Sequence, residues 1–265
     1  MAKFRLLHQL LLEQGVIQAE QVQRPLSIAR KDLESIHPRS YHEAFSCDRL
    51  TRPEQRRIGL PATRPLVQRT WLSVGGTLRT AQLALEHGMA CHLAGGTHHA
   101  FPDYGSGFCI FNDIAVTASV LLQQGLVNKL VVVDLDVHQG DATAAIFSGE
   151  PRVFTFSAHA ASNFPSRKQT SDLDLPLADG LEDQAYLQSV GDVLPELLDQ
   201  QQPDLVLYNA GVDPHRQDRL GKLALSDQGL LQRDHLVFDA CLRRNIPVAS
   251  VIGGGYDTID ALVER

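Results

Sequence analysis

The stretch VVVDLDVHQGD, residues 131–141, joins three valines to three aspartates and a histidine. With Lys129 and Leu130 ahead of it, it opens as a nearly continuous apolar run, which is typical of a strand buried on both faces of a parallel sheet. Buried carboxylates are costly unless something positive lies between them. The segment therefore predicts a central strand that delivers acidic side chains to a partner at its carboxyl end.

Strand-like and helix-like segments alternate on both sides of this stretch. Four further strands are predicted at MACHLAGG, PRVFTFSAH, DLVLYNAG and IPVASVIGGGY. Helices are predicted over 75–88, 112–125, 182–201 and 226–245, the third being either one helix or two short ones because it contains Pro195. A loop is predicted after His159. The alternation predicts an α/β fold, a single domain over residues 1–265 whose mostly parallel central sheet carries helices on both faces.

Composition and charge exclude several classes of protein. The chain has 265 residues, 43% of them hydrophobic, and a net charge of −7 without a basic stripe, which argues against nucleic-acid binding. The four cysteines form no CxxC pair and predict reduced thiols in a cytoplasmic protein. No apolar run reaches the roughly 20 residues that span a bilayer. The amino-terminal MAKFRLLHQLLLEQG predicts an amphipathic helix rather than a signal peptide.

Polar residues recur at the carboxyl ends of the predicted strands. His98 and His99 follow one strand, and the aspartate-rich run follows the next. Asp213 and Tyr256 follow the last two strands. Parallel sheets bind ligands in the crevice beyond the carboxyl ends of their strands. These side chains are therefore expected to converge at one edge of the sheet.

The aspartate-rich run favours a divalent metal site. Asp134, Asp136 and His138 alternate along an extended segment and are expected to share a face. Asp213 offers one more carboxylate, and three protein ligands with an open position are typical of a catalytic Zn²⁺ site, although Fe²⁺ suits the same ligands. The alternative is a loop of solvated carboxylates with a satisfied histidine. The second carboxylate at a second strand end favours the metal.

The adjacent histidines His98 and His99 project differently, so one ion is not expected to bind both. Each could instead pair with a carboxylate that fixes its tautomer, and Asp134 and Asp141 are available. The alternative is that both histidines are core or capping residues of a glycine-rich turn. Proximity to a metal with an open position favours the catalytic interpretation.

Three aromatic residues are candidates for contacts with a substrate. Tyr256 follows three glycines and could donate a hydrogen bond to an oxyanion, or it could simply plug a turn. Phe108 in GSGFCIFN and Phe164 in SNFPS could flank a narrow substrate channel, or they could be ordinary packing residues. The local sequence leaves these alternatives open.

The five phrases GTHHA, GFCIFN, DLDVHQGD, NAGVD and GGGY occur in this order, and with them the sequence resembles the histone deacetylase family within the arginase-deacetylase superfold. The resemblance runs from about Gly75 to the carboxyl terminus. The phrases KFRLL, RIGLP and SVGGTL are similar to those of bacterial members close to the class IV enzymes. Relatives usually begin ahead of KFRLL and continue past ALVER, so a helix or edge strand is expected to be missing at either end.

The resemblance implies a role for each candidate residue. The metal ligands would be Asp136, His138 and Asp213. The catalytic groups would be His98, His99 and Tyr256, with Asp134 orienting His98 and Asp141 orienting His99. The substrate-binding residues would be Gly107, Phe108 and Phe164. A structural K⁺ would be held by the side chains of Asp134 and Ser157 and by the backbone carbonyls of Asp136, His138 and Ala158.

The implied activity is hydrolysis of an amide by metal-activated water, which removes acetyl or other acyl groups from acylated lysine or a related small amine. One alternative is an arginase-like hydrolase with two manganese ions on the same fold. That chemistry favours a DxHxD run, whereas this chain has DxDxH. Another alternative is a catalytically inactive module that binds acylated amines. The sequence does not indicate an oligomeric state.

Overall fold

The computed structural model describes residues 2–265. Its six strands are β1 (Met89–His92), β2 (Leu130–Asp134), β3 (Val153–Ala160), β4 (Leu173–Leu177), β5 (Leu205–Asn209) and β6 (Val248–Val251). Its α-helices are α1 (Ala2–Glu13), α2 (Arg30–Leu33), α3 (Arg39–Ser46), α4 (Arg52–Ile58), α5 (Arg64–His87), α6 (Asp113–Gln123), α7 (Asp141–Phe147), α8 (Asp183–Gln201), α9 (Asp227–Leu242) and α10 (Ile259–Glu264). A short 3₁₀ helix spans Ala19–Gln21.

The strands form one sheet in the order β1-β6-β5-β2-β3-β4, and every neighbouring pair is parallel. The α/β class with a parallel central sheet is therefore confirmed. In the centre of the sheet Asp134 lies beside Asn209 on one side and beside Ser157 on the other. This register brings three polar residues to the carboxyl edge of the central strands.

The two faces of β2 explain its apolar run. Val131 and Val133 pack into a core that includes residues of α8 and α9. Leu130 and Val132 pack into a second core on the opposite face, which includes residues of α5 and α6. A strand covered by helices on both faces needs apolar side chains at successive positions, as the sequence predicted.

Several elements differ from the sequence-based expectation. Helix α7, strand β4 and the terminal helix α10 were not predicted, and α5 begins at Arg64 rather than at residue 75. Strand β4 contains Pro176 and lies at the sheet edge, where proline is tolerated, so its sequence lacks a clear strand signal. Helix α7 has only seven residues. A helix of that length is stabilised by its tertiary contacts rather than by local propensity.

The predicted segment around Pro195 is one continuous helix, α8. Tyr186, Val190, Leu194 and Leu197 lie on its buried face. This continuous apolar contact with the sheet offsets the hydrogen bond that a proline removes from a helix interior. None of the helices within residues 2–265 combines the length and apolarity that crossing a bilayer requires.

Candidate active site

Asp136, His138 and Asp213 form a compact group beyond the ends of β2 and β5. One ligand atom from each residue can be chosen so that all three lie within 4.8 Å of one another. All three side chains are buried. His138 Nδ1 lies 3.0 Å from Asp136 Oδ1 and 3.3 Å from Asp213 Oδ2. Two carboxylates and one imidazole at this spacing match the donor set of a three-ligand zinc site.

The charges of this group are those of a cation site. Burial lowers the pKa of His138, but its hydrogen bond to Asp136 and the nearby charge of Asp213 raise it more, to about 10. Burial and the charge of Asp136 raise the pKa of Asp213 to about 6. Asp213 Oδ2 has no hydrogen-bond partner of its own within residues 2–265. The group therefore holds a proton where a divalent ion would satisfy both carboxylates, and its residues fit a metal.

Backbone amides hold the two carboxylates in place. Gly254 N donates to Asp136 Oδ2 at 2.9 Å, and Val137 N donates to Asp213 Oδ1 at 3.0 Å. A Cβ atom on Gly254 would lie 1.9 Å from Asp213 Oδ2 and 2.6 Å from Asp136 Oδ2. The glycine run before Tyr256 is thus required by the close approach of its backbone to the carboxylates.

Two histidine–aspartate pairs lie next to the three-residue group. His98 Nδ1 is 2.7 Å from Asp134 Oδ2, and His99 Nδ1 is 2.6 Å from Asp141 Oδ1. The two imidazole rings are 4.1 Å apart between centroids. The expected face shared by Asp134, Asp136 and His138 is not formed as one group, because β2 ends at Asp134 and that carboxylate turns to His98. Asp136 and His138 associate with Asp213 instead.

The two histidines differ in their protonation. Burial lowers the pKa of His98, but the charges of Asp134 and Asp136 outweigh it and raise the value to about 9. Burial and the positive charge of His98 lower the pKa of His99 to about 4. His99 is therefore neutral at neutral pH. Because the Asp141 carboxylate accepts a hydrogen bond from the protonated Nδ1 of His99, the other ring nitrogen, Nε2, carries no proton and can accept one.

Aromatic side chains surround the approach to these groups. Phe108 and Phe164 are 44% and 43% exposed. The Phe164 ring lies edge-on to His99 with centroids 4.9 Å apart, and the Phe108 ring lies 5.7 Å from that of Tyr256. The ring centroids of Tyr256 and His138 are 6.1 Å apart. The structure thus brings the three aromatic candidates to the rim of the histidine cluster.

Gly107 and Tyr256 both lie at this rim, and each has a property that bears on substrate binding. Gly107 has a φ of +52°, and a Cβ there would lie 2.8 Å from His99 Cδ2. Glycine keeps this wall of the site open beside the imidazole. Burial and the charges of Asp136 and Asp213 raise the pKa of Tyr256, so its hydroxyl keeps its proton at neutral pH.

The candidate K⁺ residues are adjacent but engaged elsewhere. Asp134 Oδ1 accepts from Asn209 Nδ2 at 3.0 Å and from the Asp136 amide at 3.2 Å. Ser157 Oγ pairs with His159 Nδ1 at 3.0 Å. The structure places Ser157 next to Asp134 in strand register, although the two side chains have different hydrogen-bond partners.

Sequence reasoning missed several residues that support the site. Asn209 holds Asp134, and its only signal was its place in the NAGVD phrase. Asp218 Oδ2 accepts from the Tyr256 amide at 2.7 Å. Lys3 Nζ, at the start of α1, donates to the Gly255 carbonyl at 3.2 Å, and burial lowers the pKa of this lysine. No local pattern connects Lys3 with a loop more than 250 residues away.

The family of the chain follows from comparison with known proteins. A model of the histone deacetylase domain matches residues 1–264. The chain therefore belongs to the histone deacetylase family, as the ordered phrases of its sequence predicted. Membership supports a deacetylase, a hydrolase acting on amides, as the general activity.

Three relatives illustrate the similarity. An uncharacterised protein of Picosynechococcus sp. is 59% identical over 256 residues, which cover 97% of this chain and 85% of that protein. Histone deacetylase 2 of Arabidopsis thaliana is 29% identical over 256 residues, covering 93% of this chain and 66% of that protein. The crystal structure of a histone deacetylase homologue from Aquifex aeolicus matches with a TM-score of 0.83 at 25% identity, covering 97% of this chain and 74% of that one.

Proposed function

We propose that this protein is a zinc-dependent amidohydrolase that removes acetyl or other acyl groups from acylated lysine or a related small amine. The observation that carries the proposal is the buried group of Asp136, His138 and Asp213 beside two histidine–aspartate pairs. We further propose that the protein acts in the cytoplasm, which is consistent with its four free cysteines. Similarity of its amino-terminal phrases supports a place near the class IV members.

Asp136, His138 and Asp213 would hold the catalytic ion. Bound Zn²⁺, or Fe²⁺ in its place, supplies Lewis-acid chemistry that polarises the amide carbonyl and makes water more acidic. The proposed structural K⁺ would be held by Asp134 and Ser157 with the neighbouring backbone carbonyls. The orphan Asp213 Oδ2 and the elevated pKa of His138 support a cation at the first of these sites.

His99 is the proposed general base. Its lowered pKa leaves it neutral, and its pairing with Asp141 directs the free Nε2 away from that carboxylate. Nε2 therefore accepts the proton of the attacking water as the carbon–oxygen bond forms. When the carbon–nitrogen bond breaks, the histidine pair returns a proton to the leaving amine. His98, held by Asp134, keeps positive charge next to the reacting groups.

Tyr256 and the aromatic rim complete the proposed mechanism. The raised pKa of Tyr256 keeps its hydroxyl available as a hydrogen-bond donor to the developing oxyanion. Phe108 and Phe164, together with the neighbouring Gly107, would flank the alkyl chain of the acylated amine. Two exposed aromatic rings suit an apolar chain whose polar amide reaches the buried groups.

Two alternatives to a deacetylase differ from it in their chemistry and can be tested. A two-manganese, arginase-like hydrolase needs carboxylates that bridge two ions, whereas residues 2–265 contain one three-member group that could hold a metal. Elemental analysis distinguishes them, since the proposal requires one catalytic metal per chain. An inactive acyl-amine binding module would bind an acylated ligand without releasing acetate.

The decisive experiment is turnover of a fluorogenic acetyl-lysine peptide by purified, zinc-loaded protein, with acylated polyamines and longer acyl chains tested in parallel. Activity should require zinc, stop with a hydroxamate and be lost in Asp213→Ala. Asp204→Ala is a matched control, because Asp204 accepts amide hydrogen bonds in an exposed loop away from the site. Zinc-loaded protein that hydrolyses none of these amides would reject the proposal.

A further inference from the structure

Arg233 is a fully buried cation that the proposed mechanism does not use. It lies on α9, and its side chain is 0% exposed. A buried guanidinium is expensive unless all its donors find acceptors. Its buried neighbours on the same face of α9, Leu230 and Val237, belong to an apolar core, so packing alone gives no reason for an arginine there.

The guanidinium contacts the two loops that carry the proposed ligands. Nη1 donates to the Gly211 carbonyl at 2.5 Å and approaches the Leu135 carbonyl at 3.4 Å. Nη2 approaches the Ala210 carbonyl at 3.5 Å. Leu135 immediately precedes Asp136 in the chain, and Gly211 lies two residues before Asp213. One side chain therefore touches the backbone of both loops next to their carboxylates.

Neighbouring residues fix the orientation of this guanidinium. Asp234 Oδ1 lies 2.9 Å from Arg233 Nε and 2.8 Å from Nη2. Tyr208 on β5 donates its hydroxyl to the same carboxylate oxygen at 2.5 Å. With Asp234 holding one edge of the planar fork, the other edge is directed at the loop carbonyls.

We propose that Arg233 is a positioning residue of the metal centre, which sets the distance between the Asp136 and Asp213 loops before any ion binds. The inference rests on the proposed metal site. It extends that site to a residue that contacts the backbone of the two ligand loops rather than the ion. Groups that orient the ligands of a metal typically change its affinity by about 10–100-fold when they are replaced. An arginine suits this role because its rigid fork reaches two loops at once, whereas a lysine offers a single point of charge.

The first test compares Arg233→Lys with the matched control Arg244→Lys in binding of Co²⁺, whose visible absorption reports the geometry of the ligands. Arg233→Lys keeps the charge but loses the fork, and should weaken Co²⁺ binding about 10–100-fold with an altered spectrum. Arg244→Lys makes the same substitution at an arginine whose guanidinium pairs with Asp199 in an exposed contact away from both loops, and should keep the wild-type affinity and spectrum. Wild-type affinity and spectrum in Arg233→Lys would overturn the proposal, as would equal losses in both variants.

The second test uses the wild-type chain and stays decisive if Arg233→Lys does not fold. Val137 N donates to Asp213, and Val212 N donates to the Gly254 carbonyl at 2.9 Å. If Arg233 positions the loops, these two amides should be protected from hydrogen exchange in metal-free protein and little changed by Zn²⁺. Free exchange of both amides until Zn²⁺ is added would show that the ion, not Arg233, orders the loops.

Neither readout depends on catalysis. A protein that binds Co²⁺ as described but hydrolyses no acylated amine would refute the proposed function and leave the role of Arg233 standing. Normal hydrolysis by the wild-type protein together with wild-type Co²⁺ binding by Arg233→Lys would support the proposed function and refute the role of Arg233.

Discussion

Single residues of the site are distinguished by where they hold protons. His99 stays neutral beside Asp141, His98 stays positive beside Asp134, and Tyr256 keeps its hydroxyl proton. These differences arise from burial and from the carboxylate each group faces, since the two imidazoles are chemically the same. Each proposed role therefore makes a separate prediction.

Replacing Tyr256 by phenylalanine should separate catalysis from metal binding. The hydroxyl is the proposed oxyanion donor, and loss of one such donor costs about 10²–10³ in rate. Tyr256 is not among the three residues grouped as metal ligands, so the variant should keep its zinc. Steady-state kinetics and elemental analysis on the same preparation check both points. Wild-type turnover in Tyr256→Phe would reject the oxyanion role.

The elevated pKa of His138 predicts that metal uptake releases a proton. In metal-free protein this imidazole, with a pKa of about 10, is protonated at neutral pH and must lose its proton to become a ligand. Affinity should therefore fall about tenfold for each unit that the pH drops below that value. Calorimetric titration of Zn²⁺ in two buffers of different ionisation enthalpy measures the protons released. A count near zero at pH 8 would contradict the prediction.

The same pKa sets the sign of a stability change in the metal-free protein. A folded-state pKa raised from 6.5 to about 10 contributes stability that is complete below pH 6.5 and is lost as the pH rises through 10. Urea titrations of chelator-treated protein should thus show weaker folding at pH 9 than at pH 7. Asp213→Ala, which removes one of the charges that raise the pKa, should reduce the difference.

At the scale of elements, the site depends on close approach between the loop after β6 and the loops after β2 and β5. The Gly254 amide binds one carboxylate, and the glycine leaves no room for a side chain beside the other. Helices and strands here act as rigid supports whose ends determine which polar groups meet.

Gly254→Ala should expel the metal. The added methyl group would overlap Asp213 and Asp136, so one loop must move and the three ligand atoms separate. Elemental analysis should find little zinc, and activity should be lost. Gly191→Ala on α8 is the matched control: its methyl would meet only the flexible Leu236 side chain at 3.3 Å, so zinc content should be unchanged. Stoichiometric zinc in Gly254→Ala would refute the close-approach argument.

For the whole molecule, we propose that the chain unfolds as one cooperative domain whose stability includes the bound ion. The sheet is continuous, and its two faces are covered by helices from distant parts of the sequence. If Zn²⁺ binds only the native state, a free Zn²⁺ concentration 100 times the dissociation constant raises the free energy of unfolding by about 2.7 kcal/mol.

Removing the metal should therefore lower the midpoint of thermal unfolding while the transition stays single. For a chain of this size, the expected loss is about 5–10 °C when a chelator removes Zn²⁺ from that concentration. Asp136→Ala should show no response to the chelator, because its ion is already absent. Two separate calorimetric transitions would argue against a single domain, and a chelator effect that persists in Asp136→Ala would argue against the ligand set.

Much of the fold was predictable because its signals are local. The apolar run of β2, the glycines after α5 and α6, and the alternation of strands and helices each lie within a short window of sequence. Among the elements that were not predicted, α7 and β4 are short, and tertiary contacts stabilise them. The roles of the candidate residues stay predictions, although the structure brings their side chains together.

By itself, the sequence determined that a parallel α/β sheet would form and that carboxylates and histidines would follow its strands, because hydrophobic periodicity and strand-end polarity are written in neighbouring residues. Its ordered phrases also identified the family. The family resemblance implied that Asp134 serves His98 and that Asp136 and His138 join Asp213, but only the tertiary structure brings these side chains together and places Arg233 behind both loops. Those choices depend on strand register and on where each strand stops, which are set by packing between residues far apart in the chain.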